Sequence, residues 1–370
     1  MRIGFACAWD DPPQPTWSYT AWQLRSALRE RAEVTDLGLE WHRSSRLALK
    51  VLAARRTDGK WSSSWKHHPF TQLLAGRKLR RAVRAGTPQV VVQIGDLARV
   101  DAPYLVYQDL SFDLLREHFS PNDEVLHFPH LNRNTIKRLT ERQHEIYEGA
   151  AGVLAMSDWL AESLVKVTGL PPERVHVVPP GANALPAAPV RTALTPRPRR
   201  RLLFVGKDFR TKAGPQVVAA LAVLRREVDP NIELTVVGPT TWPLPGQVPD
   251  GVTFLGRLPL DRVRDLYQAH DLFVMPSHFE GYGMALVEAL AHGLPCVARN
   301  ACAMPEIVRQ GVNGVLVSGD DPADLAAVIA SALDDDGLAR RAIRQAGEVI
   351  ARHQWSRAAD DILRIASEVG

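Results

Sequence analysis

Short runs of β-branched and aliphatic residues alternate along the whole chain with stretches of helical period, the pattern of parallel sheets crossed by helices. The first strand reads over residues 2–7; Trp17, Ala21, Leu24 and Leu28 then recur at helical spacing, with Thr16 or Ser18 placed to cap. Residues 90–94, 104–107, 153–155 and 175–178 read as further strands, and 158–168 as a capped helix. A second series of strands runs through 202–205, 233–237, 252–255, 272–275, 296–298 and 314–317, separated by helical patterns such as 216–228 and 260–269. Between the two series, residues 179–200 hold six prolines and a closing cluster of arginines, which neither strand nor helix accommodates throughout. The pattern predicts an α/β chain of two Rossmann-like, doubly wound domains facing an interdomain cleft. The N-terminal domain covers 1–180, a linker 181–200 and the C-terminal domain 201–353.

Composition narrows this without changing it. A chain of 370 residues, 45% hydrophobic and 23% charged, has the ordinary globular balance and fits two domains of about 150 residues or more. Cys7, Cys296 and Cys302 lack metal-ligand spacing and make no disulfide framework. No run approaches the ~18 apolar residues of a membrane span, and the first apolar stretch stops at Trp9-Asp10-Asp11. The expected location is the cytoplasm. Net charge is +4, yet twelve of the basic residues fall between Arg43 and Arg84 against Asp58 alone. That stretch, interleaved with Trp61, Trp65 and Phe70, reads as a solvated helical face, as a surface for an anionic membrane or lipid-diphosphate acceptor, or as a nucleic-acid surface. No nucleic-acid recognition module accompanies it, and nucleic acid is not expected as a partner.

In open α/β sheets ligands sit beyond the carboxyl ends of the strands, so the loops there are where chemistry is sought. The richest loop follows residues 272–275. Gly281 and Gly283 permit a tight turn into a helix over 284–292, whose amino end can hold a phosphate, and Gly293 closes it. Glu288 lies within this small, apolar helix, where a buried carboxylate needs a hydrogen-bonding partner; a ribose diol would suit it. Glu280 stands on the lip of the same loop. Taken singly, Glu288 reads as a solvent-facing helix residue and Glu280 as a loop charge; with the glycines, the two read as facing one ligand.

These residues resemble the retaining GT-B glycosyltransferases of family 4, whose E-x7-E motif has the spacing of Glu280 and Glu288. The resemblance implies that Glu288 binds the donor ribose, that Glu280 lies beside the transferred sugar, and that the backbone of Gly281, Tyr282, Gly283, Met284 and Ala285 holds the diphosphate and adjoining sugar. A second likeness covers 204–214, the family's glycine, basic residue, spacer and Lys-Gly segment. It places Gly206, Lys207 and Lys212 on the diphosphate, with Arg210 able to substitute where Lys207 stands in place of the usual arginine. Negative charge grows on the β-phosphate as the sugar leaves, and preorganised cations stabilise it. Arg257 and Leu258 would line the nucleobase pocket, and the helix from about 354 to 370 resembles the segment that crosses back onto the first domain.

The implied activity is hexosyl transfer from a nucleoside-diphosphate sugar to the hydroxyl of a sugar, lipid-linked or small-molecule acceptor, by front-side attack with retention. It would serve envelope polysaccharide or glycoconjugate synthesis, with no cofactor or metal. Two rivals stay open: a GT-B-like nucleotide-sugar epimerase, and a nonenzymatic binder of anionic surfaces or nucleic acid through the basic stretch 43–84. The first domain departs from the family. The loop after its first strand reads Asp10 to Tyr19 where relatives carry a Gly-Gly pair, with Trp17 and Tyr19 able to stack on a sugar or to pack on the first helix. Asp109 stands where a histidine is common and is assigned a polar role toward the sugar or acceptor. Asp334-Asp335-Asp336 falls between helices, where caps are expected, and His127 and His130 read as structural.

Overall fold

A computed structural model describes residues 1–57, 60–117 and 131–370; Asp58, His127 and His130 lie outside the described residues. The chain divides into two units, Met1–Gly181 with Trp355–Gly370, and Ala182–Gln354.

The first unit contains β1 (Arg2–Ala6), β2 (Glu33–Asp36), β3 (Ala54–Thr57), β4 (Lys60–Ser63), β5 (Val90–Ile94), β6 (Tyr104–Gln108), β7 (Gly152–Ala155) and β8 (Val175–Val177). β3 and β4 form an antiparallel hairpin, and the rest form one parallel sheet in the order β2-β1-β5-β6-β7-β8. β5 and β6 are buried along their whole length, which is why they read as near-continuous apolar runs. Both of their glutamines are bonded: Gln93 closes its amide on the backbone of Ala98, at 2.8 Å to its carbonyl and 3.1 Å from its N–H, and Gln108 donates to the Tyr147 hydroxyl. The helix Trp355–Val369 packs on the helix Thr20–Arg29, and Arg31 pairs with Asp360 at 2.8 Å beside that seam.

The first helix begins later than its apolar spacing suggests, and neither Thr16 nor Ser18 caps it. Tyr19 holds the cap position with φ 71° and no side-chain cap bond. The Thr16 hydroxyl instead accepts the N–H of Asp10 at 2.9 Å. Trp17 and Ser18 are left-handed as well, at φ 47° and 54°, so the loop after β1 delivers three consecutive non-glycine residues in that region.

The second unit contains β9 (Arg201–Val205), β10 (Glu233–Val237), β11 (Val252–Gly256), β12 (Leu272–Met275), β13 (Cys296–Arg299) and β14 (Gly314–Val317), all parallel in the order β11-β10-β9-β12-β13-β14. Residues 182–200 run along this unit. The Arg191 guanidinium donates to the carbonyls of Gln268 and His270 at 3.0 and 2.8 Å, and Arg199 donates to that of Leu333 at 2.8 Å. Of the acidic run, Asp335 caps the helix Asp336–Arg352 by accepting the N–H of Leu338, and Asp336 pairs with the buried Arg199 at 2.7 Å.

In each sheet the strand order reverses beside the first strand, between β1 and β5 and between β9 and β12. Crossovers on the two sides of such a point leave toward opposite faces, and the loops at the carboxyl ends part to leave a crevice. Asp271 anchors the second reversal. Its side chain, 2% exposed, accepts the N–H groups of Arg200 and Arg201 at 2.9 Å each and so ties the start of β9 to the start of β12. Replacing Asp271 with Ala removes the acceptor of two part-buried backbone donors and is expected to lower the stability of this unit by about 1–2 kcal/mol, read from the urea midpoint.

Candidate functional site

The loop after β9 is folded by its own backbone. The carbonyl of Asp208 accepts the N–H of Lys212 at 3.0 Å, and that of Phe209 accepts the N–H of Gly214 at 2.8 Å. The Phe209 ring lies against Gly214 so closely that a Cβ there would sit 2.3 Å from it, which requires glycine. Phe209 stands edge-on to Phe204 at 5.2 Å and meets Trp242 at 6.0 Å, giving the loop an aromatic floor. Ala213, left-handed at φ 58°, turns the chain into the helix Gly214–Glu227.

The loop after β12 is bonded to this one directly, since the N–H of His278 donates to the carbonyl of Thr211 at 2.8 Å. Gly283, at φ 109°, is the cap of the helix Met284–Ala291, a conformation that disfavours any side chain. The first N–H groups of a helix have no intrahelical acceptor and carry its positive end, so this turn offers an anion site. Arg299, buried at the end of β13, holds the loop from behind. Its Nε donates to the carbonyls of Pro276 and Ser277 at 3.2 and 3.1 Å, and its guanidinium pairs with Asp320.

Across these two loops the Lys212 ammonium donates to the Glu280 carboxylate, and both side chains are largely withdrawn from solvent. The Ser277 hydroxyl donates to the same carboxylate oxygen at 3.3 Å. Gly206 adjoins the pair, for a Cβ there would lie 3.0 Å from Cγ of Lys212. A cation, a carboxylate and a glycine-capped helix start are thereby gathered at the carboxyl end of one strand pair.

Glu288 is only 7% exposed. One carboxylate oxygen accepts the N–H groups of Asn183 and Ala184 at 3.1 Å each, and the other accepts the hydroxyl of Tyr267 at 3.1 Å. Burial raises its pKa, and the three donated hydrogen bonds oppose that rise. Tyr267 is itself stacked on His292 at 5.3 Å. The need for a hydrogen-bonding partner inferred from the apolar helix is therefore met from within the chain.

The remaining sequence candidates are spread more widely. Lys207 and Arg210 are exposed on the β9 loop, and Met284 and Ala285 are half-buried at the helix start. Tyr282 is buried with its hydroxyl 2.9 Å from Nε2 of His353. Arg257, exposed, and Leu258, half-buried, follow β11 at the edge of the sheet. Asp109 belongs to the first unit, where it follows β6. Sequence reasoning passed over Tyr267 and Arg299. A hydroxyl on the buried side of a helix and an arginine ending an apolar strand were the available signals. Among the described residues no group of three or more His, Cys, Asp or Glu is arranged to hold a metal, and no helix is long and apolar enough to cross a membrane.

Residues 191–349 match the model of the family described as glycosyl transferases group 1. The D-inositol 3-phosphate glycosyltransferase of Thermobispora bispora is 34% identical over 249 residues, covering 61% of this chain and 58% of that protein. The chain spans little more than half the length of the curated relatives it matches. Among solved structures, the sucrose-phosphate synthase from Thermosynechococcus elongatus aligns with a TM-score of 0.72 at 19% identity, over 100% of this chain and 98% of that one. HepE of Anabaena, in complex with UDP-glucose, aligns with a TM-score of 0.65 at 16% identity over 100% of both chains. The fold is the two-domain α/β fold of the GT-B glycosyltransferases.

Glu288 titrates with a sign that can be checked. Its folded pKa lies above the ordinary 4.5, so the folded state binds the proton more tightly and loses that advantage as pH rises from 4.5 through the folded value. The stability of the wild type relative to Glu288→Gln is expected to fall with rising pH across that window, as followed by urea unfolding at stepped pH.

Proposed function

We propose, from a second unit that matches the glycosyl transferases group 1 model, that the chain is a retaining glycosyltransferase moving a hexosyl group from a nucleoside-diphosphate sugar to an acceptor hydroxyl. The observation that carries this reading is the Lys212–Glu280 pair beside the start of the helix Met284–Ala291. A diphosphate at this helix start competes with Glu280 for the Lys212 ammonium, and Lys207 and Arg210 extend the positive field from the same loop. These cations take the part a metal ion would otherwise play at the leaving group, so the reaction is proposed to need no metal and no cofactor.

Glu280, released from Lys212, is left to accept from hydroxyls of the transferred sugar. Glu288 has accepted three hydrogen bonds of the roughly four its oxygens can take, and its remaining lone pair suits one ribose hydroxyl. The backbone from Gly281 to Ala285 lies along the diphosphate and the sugar, and Arg257 and Leu258 border the base. The anomeric carbon breaks its bond to the phosphate oxygen and forms one to the acceptor oxygen on the same face. The acceptor proton passes to the departing phosphate, which leaves as nucleoside diphosphate. UDP-glucose, the ligand of the Anabaena neighbour, is the first donor to try.

The reaction is placed in the cytoplasm, in glycoconjugate synthesis, with peripheral contact at the inner membrane face. What favours that contact is the helix Arg43–Leu52, which exposes Leu47, Val51 and Leu52 beside Arg43, Arg46 and Lys50. Vesicles containing phosphatidylglycerol should retain the protein in low salt and release it in high salt, and Val51→Glu should weaken the binding; equal sedimentation with neutral vesicles would remove this part of the reading.

Lys212→Ala is expected to lower transfer by about 10²–10³. Glu280→Gln should lower it as well, with chelators leaving the wild-type rate unchanged. Proton NMR of the glycoside reports whether the donor's anomeric configuration is kept. Unaltered rates in both variants would overturn the site.

A further inference from the structure

The turn Gly281-Tyr282-Gly283 leads from Glu280 into the helix Met284–Ala291, and two of its three residues have no side chain. Glycine allows the backbone more conformations than any other residue, so such a turn does not fix the directions of its N–H groups by itself. Tyr282 supplies the restraint. Its side chain is buried, and its hydroxyl meets Nε2 of His353 at 2.9 Å, 71 residues further along the chain.

His353 is itself fixed, by the helix it ends and by the segment that opens the unit. It caps the carboxyl end of the helix Asp336–Arg352, and its Nδ1 lies 2.9 Å from the carbonyl of Val349. A carbonyl only accepts, so Nδ1 carries a proton, and Nε2 of the neutral ring is the acceptor for the Tyr282 hydroxyl. The carbonyl of His353 accepts the N–H of Ala182 at 2.9 Å. Ala182 is the first residue of the second unit, and the next two, Asn183 and Ala184, donate their N–H groups to Glu288. The helix Met284–Ala291 is therefore tied twice to one short stretch of backbone, at Glu288 directly and at Tyr282 through His353. The hollow beside the Tyr282–His353 contact measures about 70 Å³, room for a few waters but not for a sugar. His353 can reach a ligand at this turn only through Tyr282.

We propose that His353 is a positioning residue for the nucleotide-sugar site: by holding the Tyr282 hydroxyl it fixes the N–H groups of residues 281–285 for the donor diphosphate. The word donor rests on the transferase reading, whereas the tie between His353 and the turn is a property of the free protein. Two measurements on the full chain separate them, UDP-glucose affinity by calorimetry and amide hydrogen exchange without ligand. Tyr282→Phe, which removes one oxygen atom, and His353→Ala should each weaken UDP-glucose about fivefold, and the double variant should bind no more weakly than the poorer single one. Amides of residues 281–285 should exchange about fivefold faster in each variant while those of β9 and β12 keep their rates; a general loss of stability would speed all of them. Should His353→Ala not fold, Tyr282→Phe gives the same two readings alone. Wild-type exchange at 281–285 in Tyr282→Phe, undiminished UDP-glucose affinity in that variant, losses that add in the double variant, or faster exchange throughout the unit overturns the proposal. Failure of the wild type to bind UDP-glucose or any other nucleotide sugar, with exchange at 281–285 still faster in Tyr282→Phe, overturns the transferase reading instead and leaves the tie standing.

Discussion

The reversal of strand order beside the first strand of each sheet is the constraint on which everything functional in this chain depends. β9 and β12 are hydrogen-bonded neighbours, yet their following helices leave toward opposite faces, so the loops at their carboxyl ends open rather than cover one another. Lys212 and Glu280, 68 residues apart in the chain, meet there. Two backbone donors on the buried Asp271 carboxylate tie the far ends of the same strands together at the base of the crevice.

Charge in the second unit is organised around that base. The Lys212–Glu280 pair keeps an ammonium oriented in a partly dry site without leaving it uncompensated, the preorganisation on which the proposed departure of a phosphate would draw. Glu288 shows the same economy deeper in the unit: two backbone donors and a tyrosine hydroxyl make an otherwise costly carboxylate tolerable within an apolar helix. Arg299, bonded to carbonyls of the β12 loop, transfers the rigidity of β13 to Glu280.

The first unit repeats the topological device with other chemistry. Its crevice has largely aromatic and aliphatic walls, with Lys66 bonded to Asp10 and Arg142 to Asp96, where the second unit gathers a cation and a free helix start.

Much of this was legible without coordinates. The strands of both series, the helix after β12 and the glycine at its cap follow from short-range rules, since apolar runs, turn residues and caps act within a few positions. Elements rich in polar residues were not legible. β2 is a partly exposed edge strand reading Glu-Val-Thr-Asp, and the helix Arg133–Gly149 dilutes its apolar face with charge. The late start of the first helix was also hidden, because apolar spacing cannot announce the left-handed residues Trp17 to Tyr19. Residue types and local turns thus belong to the amino-acid string itself. The meeting of Lys212 with Glu280, the backbone donors that satisfy Glu288 from more than 100 residues away, and the crevice that Trp17 shares with residues after β5 and β6 came only with the folded chain. Each depends on which strands lie side by side and which way their crossovers turn, and hydrophobic period carries no record of either.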